Sequence, residues 1–330
     1  AYQRESLAEA RDAGPRGGGW LIGDGGDPQR AQRLLETLLG HGIEVRRVDG
    51  SVTVAGREQA DGTAWAIPAR QDLARFIRAI FATPRDLPME TFYDVSAWPL
   101  QHAFDLPFEA VDRLPATGDA LVEPLATAPE PTAVDPEALA WTVDWSQHRA
   151  PALLAALLAD GYRVQAAEQP TALSTAEGER TFGRGSLVVH SGIQPGELPA
   201  VGPRLAELSE RFDVDVASIG SGLARSGLDL GSPSLPVIGS ARVAMLTGDG
   251  ISAYNAGTVW RWFDVHLEQP ITMLDADDLP SDLGQYTHLV LPDGRYGSRA
   301  DAFDEALVDY VRGGGRLIAL RGASEWVESL

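Results

Sequence analysis

The sequence contains no cysteine and no lysine, and each absence excludes several kinds of chemistry. Without cysteine the chain has no disulfide, no thiolate metal ligand and no cysteine nucleophile, and its redox compartment is left undetermined. Without lysine it has no Schiff-base catalyst and no P-loop lysine for nucleotide phosphates. The 27 basic residues are therefore all arginine. We interpret this arginine-only, acid-rich composition as a product of genomic base composition.

Long hydrophobic runs and clustered positive charge are also absent. No apolar run approaches the roughly 18 residues that a membrane-spanning helix needs, so no membrane span is predicted. A formal net charge of -20, with no basic stripe, opposes binding to phosphate backbones. Nucleic acid is therefore not a predicted partner. The first twelve residues are charged and helical in pattern rather than signal-like, and the sequence leaves the cellular location unknown.

With 330 residues, of which 44% are hydrophobic, the chain is long enough for about two domains. An internal duplication organises its first two thirds. In the first copy, strand 20–22 precedes a leucine-rich helix from Pro28 to Leu39 and a strand that starts at 42–45. The second copy repeats this order with strand 140–143, a helix around 153–158 and strand 161–164. Each copy continues with a hairpin-like insert, another apolar strand and a helix, which predicts two βαβ-type units.

The last segment alternates strands and helices, which is typical of a parallel sheet with right-handed crossovers. Strands are predicted at 242–246, 271–274, 288–291 and 316–320, with helices at 255–266 and 301–312. In a flavodoxin-like order, the carboxyl ends of all four strands share one edge. Ligands of such sheets bind where the strand order reverses.

Asp249, Asp293 and Arg321 follow three of these strands and are the candidate ligand-binding residues. Two alternatives stay open. Each aspartate precedes a glycine, and Asp-Gly pairs form turns without any ligand. Arg321 could instead pair with either carboxylate in a local salt bridge.

The final strand and turn, residues 313–324 (GGGRLIALRGAS), occupy the place where hydrolases and amidotransferases of doubly wound folds hold a nucleophile. Here the turn carries Arg321. Ser324 partly imitates the serine of a nucleophile elbow, but no histidine follows it. We therefore predict that Ser324 caps the amino terminus of the next helix, and we assign no catalytic residue.

Two groups have spacings that suggest a metal site. His41 and Glu44 have the His-x-x-Glu spacing of zinc peptidases, but the second copy has Asp160 and Arg163 at the matching positions. The cluster at 275–278 (DADD) has the oxygen ligands that a hard cation prefers, but we interpret it as a polar loop. We predict no metal ligand in this chain.

Five strings in order resemble the later regions of bacterial zinc carboxypeptidase-like proteins of the carboxypeptidase A superfamily. They are residues 2–6 (YQRES), 92–100 (FYDVSAWPL, followed by Ala103 and Phe104), 192–194 (GIQ), 227–232 (GLDLGS) and 242–257 (RVAMLTGDGISAYNAG). The likeness covers nearly the whole chain. It implies a parent protein with a zinc peptidase domain followed by a region similar to class I glutamine amidotransferases, and only that later region is present here.

The sequence patterns predict an α/β fold in which duplicated βαβ-type units precede a flavodoxin-like parallel sheet, and the resemblance implies that this sheet is glutamine amidotransferase-like. Prolines among alanine and acidic residues predict a linker at 114–136, and a second break falls at 231–236 (GSPSLP). The predicted organisation is therefore a first unit at 1–113, a Pro/Ala-rich linker at 114–136, a second unit at 137–236 and the last domain at 237–330. Zinc is expected in the parent's peptidase domain and no cofactor in this chain. The implied partners are that peptidase domain and a peptide or cell-wall substrate, and the resemblance is compatible with an exported parent.

Overall fold

The structure, a computed structural model, describes residues 17–81, 100–122, 133–280, 282–297, 299 and 301–330, and the isolated positions 5 and 8. Most of string 2–6, residues 92–99 of the second string and residues 123–132 of the predicted linker lie outside the described residues. The chain divides into two compact units, Ala1–Glu130 and Pro131–Leu330. The finer boundaries at 113, 136 and 236 stay predictions.

The first unit contains an antiparallel sheet with helices packed on it. Its strands are β1 (Gly19–Gly23), β2 (Arg46–Val48), β3 (Val52–Val54), β4 (Arg57–Gln59), β5 (Ala64–Pro68), β6 (Phe108–Val111) and β7 (Thr117–Ala120). Its helices are α1 (Pro28–Gly40), α2 (Ala74–Ile80) and α3 (Leu100–Ala103). The sheet order is β6-β1-β5-β2-β7, and β3 and β4 form a separate hairpin.

Helix α1 shows how the sequence produces this layer. Asp27 caps its amino terminus by accepting a hydrogen bond from the Arg30 amide, and Pro28 is the first helical residue. The predicted leucine stripe forms its buried face, with Leu34, Leu35 and Leu38 all 1% exposed or less. This stripe packs on β1 and β5, so helical periodicity and core position agree.

The second unit begins with a related sheet. Its strands are β8 (Ala140–Val143), β9 (Gln165–Ala166), β10 (Thr171–Thr175), β11 (Gly178–Phe182), β12 (Leu187–His190) and β13 (Ala217–Ile219), and its helices are α4 (Ala150–Ala159) and α5 (Val201–Phe212). A 3-10 turn at Ser191–Ile193 follows β12. The sheet order is β11-β10-β13-β8-β12-β9.

The two sheets share a strand order. The run β6-β1-β5-β2 in the first sheet corresponds to β13-β8-β12-β9 in the second. Beyond this run, β2 pairs with β7 in the first sheet, and in the second sheet Gln165 of β9 forms an antiparallel bridge with Val237. In both, the strands on either side of the first helix run parallel but are separated by an antiparallel strand, β5 or β12. The repeated α/β units therefore differ in strand adjacency from a simple βαβ unit.

The rest of the second unit is a four-stranded parallel sheet. Its elements are β14 (Val243–Thr247), α6 (Ala253–Arg261), a π-helical turn (Trp262–Leu267), β15 (Thr272–Asp275), β16 (His288–Leu291), α7 (Asp301–Arg312), β17 (Arg316–Ala319) and α8 (Gly322–Val327). The order β15-β14-β16-β17, with every pair parallel, is the predicted flavodoxin-like order. The α/β fold class is confirmed. In the described part of the chain, no helix is both long and apolar enough to cross a membrane.

Candidate functional site

The turn after β17 has a strained backbone. Arg321 has φ 54° and ψ −124°, a backbone conformation that residues other than glycine rarely adopt. Helix α8 begins at the next residue. A sharp, strained strand-to-helix turn is the geometry that presents a nucleophile in elbow enzymes. Here the same geometry presents a guanidinium group, and the Arg321 side chain is 73% exposed.

Asp293 occupies the position next to this turn. One carboxylate oxygen accepts a hydrogen bond from the Gly322 amide at 3.1 Å, and the other lies 3.8 Å from Arg321 Nε. Asp293 and Arg321 are therefore brought together as the shared strand edge predicts. In elbow hydrolases, the amide after the nucleophile stabilises an oxyanion. In this protein, a carboxylate of the chain itself already accepts from that amide.

Asp249 contributes to the same edge through its backbone. Its carbonyl oxygen accepts a hydrogen bond from Arg299 Nη2 at 2.6 Å. The loops after β14 and β16 are joined by hydrogen bonds from the Ser252 amide to the Asp293 carbonyl and from the Arg295 amide to the Gly250 carbonyl, 2.8 Å and 3.0 Å long. These bonds fix the edge of the sheet. Ligand binding by Asp249, Asp293 and Arg321 stays a prediction.

The loop that carries Asp293 is held from beneath by Tyr296. The Tyr296 hydroxyl donates a hydrogen bond to the Pro292 carbonyl at 2.8 Å. Burial raises the pKa of Tyr296 well above its usual range, so the phenol is neutral and can act as a donor. Its ring stacks on Trp326 of α8, with ring centroids 5.1 Å apart. The strand-to-helix turn at Arg321 and Gly322, which we call the elbow, and the loop of Asp293 are thus both attached to the stacked pair of Tyr296 and Trp326.

The prediction that Ser324 caps a helix was wrong. Arg321 occupies the cap position, Ser324 lies inside α8, and its hydroxyl donates a hydrogen bond to the Ala319 carbonyl at 2.9 Å. The helix starts earlier because the backbone reverses at Arg321, directly after the strand. The Ser324 hydroxyl therefore ties α8 to the end of β17.

The two suspected metal groups have other contacts. The His41 ring packs edge-on against Phe76 at 5.2 Å, and the Glu44 carboxylate accepts a hydrogen bond from Arg46 Nε at 2.6 Å. Asp275 accepts from the amide of Asp277 at 3.0 Å, in a local turn. Within the described ranges, no group of three or more metal-ligating side chains converges on one point.

Arg299 is a site residue that sequence reasoning missed. Its guanidinium pairs with the Asp277 carboxylate and donates to the Asp249 carbonyl, which joins the loops after β15 and β14. The side chain is only 8% exposed and lies over the Phe303 ring, 5.3 Å from its centroid. A single arginine in a glycine- and serine-containing loop carries no sequence signal of this role.

A groove lies between α7 and the connection of β15 to β16. It encloses about 1110 Å³ and extends from Asp249 and Arg299 at the carboxyl edge of the sheet to Thr287 and Arg316 at the amino edge. Arg321 and Asp293 are not among its lining residues. The elbow and the groove are therefore neighbouring but separate features.

Comparisons with family models, curated proteins and solved structures found no match. The resemblance to zinc carboxypeptidase-like proteins stays a prediction.

Proposed function

We propose that this chain is a non-catalytic accessory region of a zinc carboxypeptidase-like protein, which supports the peptidase domain or recognises its substrate. The single observation that carries the proposal is the elbow. Its strained position holds Arg321, and the amide of Gly322 is hydrogen-bonded to Asp293. An acyl-transfer site of this geometry needs a nucleophile at the position of Arg321 and a free hydrogen-bond donor at the amide of Gly322.

The side chains around the elbow support the same proposal. Ser324 uses its hydroxyl for the Ala319 carbonyl, and the neighbouring carboxylate of Asp293 is engaged by backbone and guanidinium. A serine nucleophile would need a histidine base within hydrogen-bond reach. The chemistry of the proposed parent would lie in its zinc peptidase domain, where the metal would activate water and polarise the peptide carbonyl.

The experiment compares a parent protein carrying the peptidase domain with the same protein lacking this region. We expect removal to lower the parent's thermal stability or raise its KM, while this purified chain alone hydrolyses neither peptides, esters nor glutamine. Unchanged stability, substrate affinity and turnover in the truncated parent would contradict an accessory role. Hydrolysis by this chain that Arg321→Ala or Ser324→Ala abolishes would contradict the absence of catalysis.

The second candidate function is binding, or hydrolysis, of a small ligand in the crevice near Asp249, Asp293 and Arg321. The observation that favours it is the exposed Arg321 guanidinium, held at a strained backbone position at the carboxyl edge of a parallel sheet. Guanidinium groups bind carboxylates and phosphates through paired hydrogen bonds. A small anion is therefore the ligand class that the crevice favours.

Calorimetric titration with citrate and with inorganic phosphate tests this candidate. Arg321→Gln should weaken binding of either anion at least tenfold, because the neutral amide loses the charge and one paired donor. Arg295→Gln at the adjacent loop serves as a matched control for loss of positive charge. Equal affinities in the wild-type protein and in Arg321→Gln would exclude the crevice as the anion site.

A further inference from the structure

A second cavity lies between α6 and the strands β14 and β15, on the face of the parallel sheet opposite to α7. It encloses about 390 Å³, and we call it the α6 pocket. Strand residues form its floor, and its wall consists of the α6 residues Ala253, Ala256, Gly257 and Trp260. Asp249, Asp293 and Arg321 are not among its lining residues. The α6 pocket is therefore distinct from the elbow and from the groove beside α7.

Small residues on α6 leave this space open. Positions 253, 256, 257 and 260 recur at helical spacing, so they share the face of α6 that lies over the sheet. In α1 the buried face carries leucines, whereas here it carries two alanines and a glycine before Trp260. A Cβ added to Gly257 would meet no atom within 4 Å. The layer between α6 and the sheet is therefore incompletely filled.

Two large apolar side chains of the pocket are accessible to a ligand. Met273, on the strand side, is 57% exposed, and Trp260, on the helix side, is 44% exposed. Met245 lies beneath them and is buried. Methionine and tryptophan both make favourable contacts with aromatic and aliphatic groups. An apolar group in the pocket would cover the exposed surface of both side chains.

A carboxylate lies at one end of this apolar floor. Met273 and Asp275 are alternate residues of β15, so their side chains point to the same face of the sheet. Asp275 Oδ1 lies 2.5 Å from the position that a Cβ on Gly248, a lining residue, would occupy. Asp275 is exposed, and its hydrogen bond from the Asp277 amide uses Oδ1. The second oxygen can therefore accept from a ligand.

The polar groups around the pocket favour a positive charge. Among the described residues that line it none is basic, and the Thr247 hydroxyl already donates to the Leu274 carbonyl at 3.2 Å. A chain with a net charge of -20 also attracts cations and repels anions. Along an extended strand, Met273 and Asp275 are about 7 Å apart. A ligand that reaches both therefore has a short carbon arm between its charge and its apolar body.

We infer that the α6 pocket binds a small organic amine, whose ammonium group pairs with Asp275 and whose aromatic or aliphatic body lies between Trp260 and Met273. The pocket holds a single molecule, because its volume lies at the lower end of the range of small-ligand pockets. The site goes beyond the accessory role proposed above and does not depend on it.

The probes are phenethylamine and hexylamine, and calorimetry measures the Kd of each at about 0.15 M salt, which screens non-specific attraction to the acidic surface. Asp275→Asn should raise both Kd values about fivefold, because it removes the charge and retains the size of the side chain. Asp278→Asn is the matched control, since Asp278 is exposed in the same loop and does not line the pocket. Hydrocinnamate, which has a carboxylate in place of the ammonium group, should not bind.

Gly257→Leu fills the pocket and should abolish binding of both amines. The Tm of this variant should be unchanged or higher, because leucine favours a helix more than glycine does and its Cβ meets no other atom. The inference is overturned if neither amine binds, if Asp275→Asn and Asp278→Asn have equal Kd values, or if hydrocinnamate binds as tightly as phenethylamine. Amine binding that persists in Gly257→Leu would also contradict it, since the amine would then lie outside the α6 pocket.

Discussion

Arg321 is the residue at which backbone and side chain are in conflict. A positive φ costs a residue with a Cβ about 1–2 kcal/mol, whereas glycine adopts it freely. The ion pair with Asp293 compensates weakly, because its closest atoms are 3.8 Å apart and Arg321 is largely exposed. The conformation is imposed by the sharp connection between β17 and α8.

Replacing Arg321 separates these contributions. Arg321→Gly should be about 1 kcal/mol more stable to urea than Arg321→Ala, because both lose the guanidinium but only glycine relieves the strain. The comparison of the two variants removes the effect of the ion pair. Equal urea midpoints for the two variants would mean that the backbone at this position is relaxed.

Asp24 predicts a pH dependence in the first unit. Asp24 is 8% exposed, and its carboxylate accepts a hydrogen bond from the Gly26 amide at 2.9 Å. Burial, assisted by the nearby charge of Asp27, raises the pKa of Asp24 above its ordinary value of 3.8, and the Gly26 amide opposes the shift. Protonated Asp24 therefore stabilises the fold fully below pH 3.8, and this contribution is lost as the pH rises through the folded-state pKa.

Asp24→Asn keeps the acceptor oxygen and removes the charge. The variant should be more stable than the wild-type protein at pH 7, with an advantage that shrinks as the pH falls toward 3.8. Urea denaturation at a series of pH values measures it. Asp144→Asn is the control, because Asp144 accepts from the Ser146 amide in the corresponding turn but is more exposed. A constant advantage at every pH would contradict the assignment.

The sequence could predict which residues meet at the strand ends only where the order of the strands alone determines that contact. The shared edge of a parallel sheet placed Asp293 beside Arg321, which the structure shows. The cap at Ser324 failed because the sequence does not reveal where the backbone reverses. Arg299 could not be found, since its partners depend on the folding of two distant loops.

At the scale of elements, a glutamine in each copy makes the same connection. Gln71 accepts from the Glu44 amide at 2.6 Å and donates to the Glu44 and Pro68 carbonyls. Gln194 accepts from the Arg163 amide at 2.9 Å and donates to the Arg163 and His190 carbonyls. Each glutamine thus joins the segment before the second strand to the segment after the inserted strand.

Gln71→Met and Gln194→Met should each destabilise the protein by about 1–3 kcal/mol, because the backbone groups that the amide satisfied lose their partner. Methionine retains the length of the side chain without its hydrogen bonds. Urea denaturation measures the effect, and Gln32→Met is the control, since the hydrogen bond from Gln32 to Glu36 is exposed. Variants as stable as the control would show that water replaces these bonds.

The existence of most major elements could be predicted from sequence, whereas their adjacency could not. The strand at His288–Leu291 and the helix at Asp301–Arg312 have their predicted bounds, because apolar periodicity marks them clearly. The insertion of β5 between β1 and β2 has no periodic signature. It depends on long-range pairing, which local sequence patterns do not encode.

At the scale of the whole molecule, a cluster of charges joins the second repeat to the parallel sheet within Pro131–Leu330. Glu268 follows the π-helical turn with a positive φ of 54°, and its carboxylate pairs with Arg149 and Arg211. Arg149 also donates to the His266 carbonyl at 2.7 Å. Helices α4 and α5 are thereby attached to the end of the π-helical turn.

Glu268→Ala tests whether this junction couples the two parts. The variant removes one carboxylate that serves two guanidinium groups, and partial exposure limits the expected loss to about 1 kcal/mol. Hydrogen exchange should increase at Trp262–Leu267, because the turn loses its anchor to α4 and α5. Glu207→Ala is the control, since Glu207 pairs with Arg204 of the same helix, α5. Exchange at this turn that rises equally in both variants would contradict a specific role of Glu268 in anchoring it.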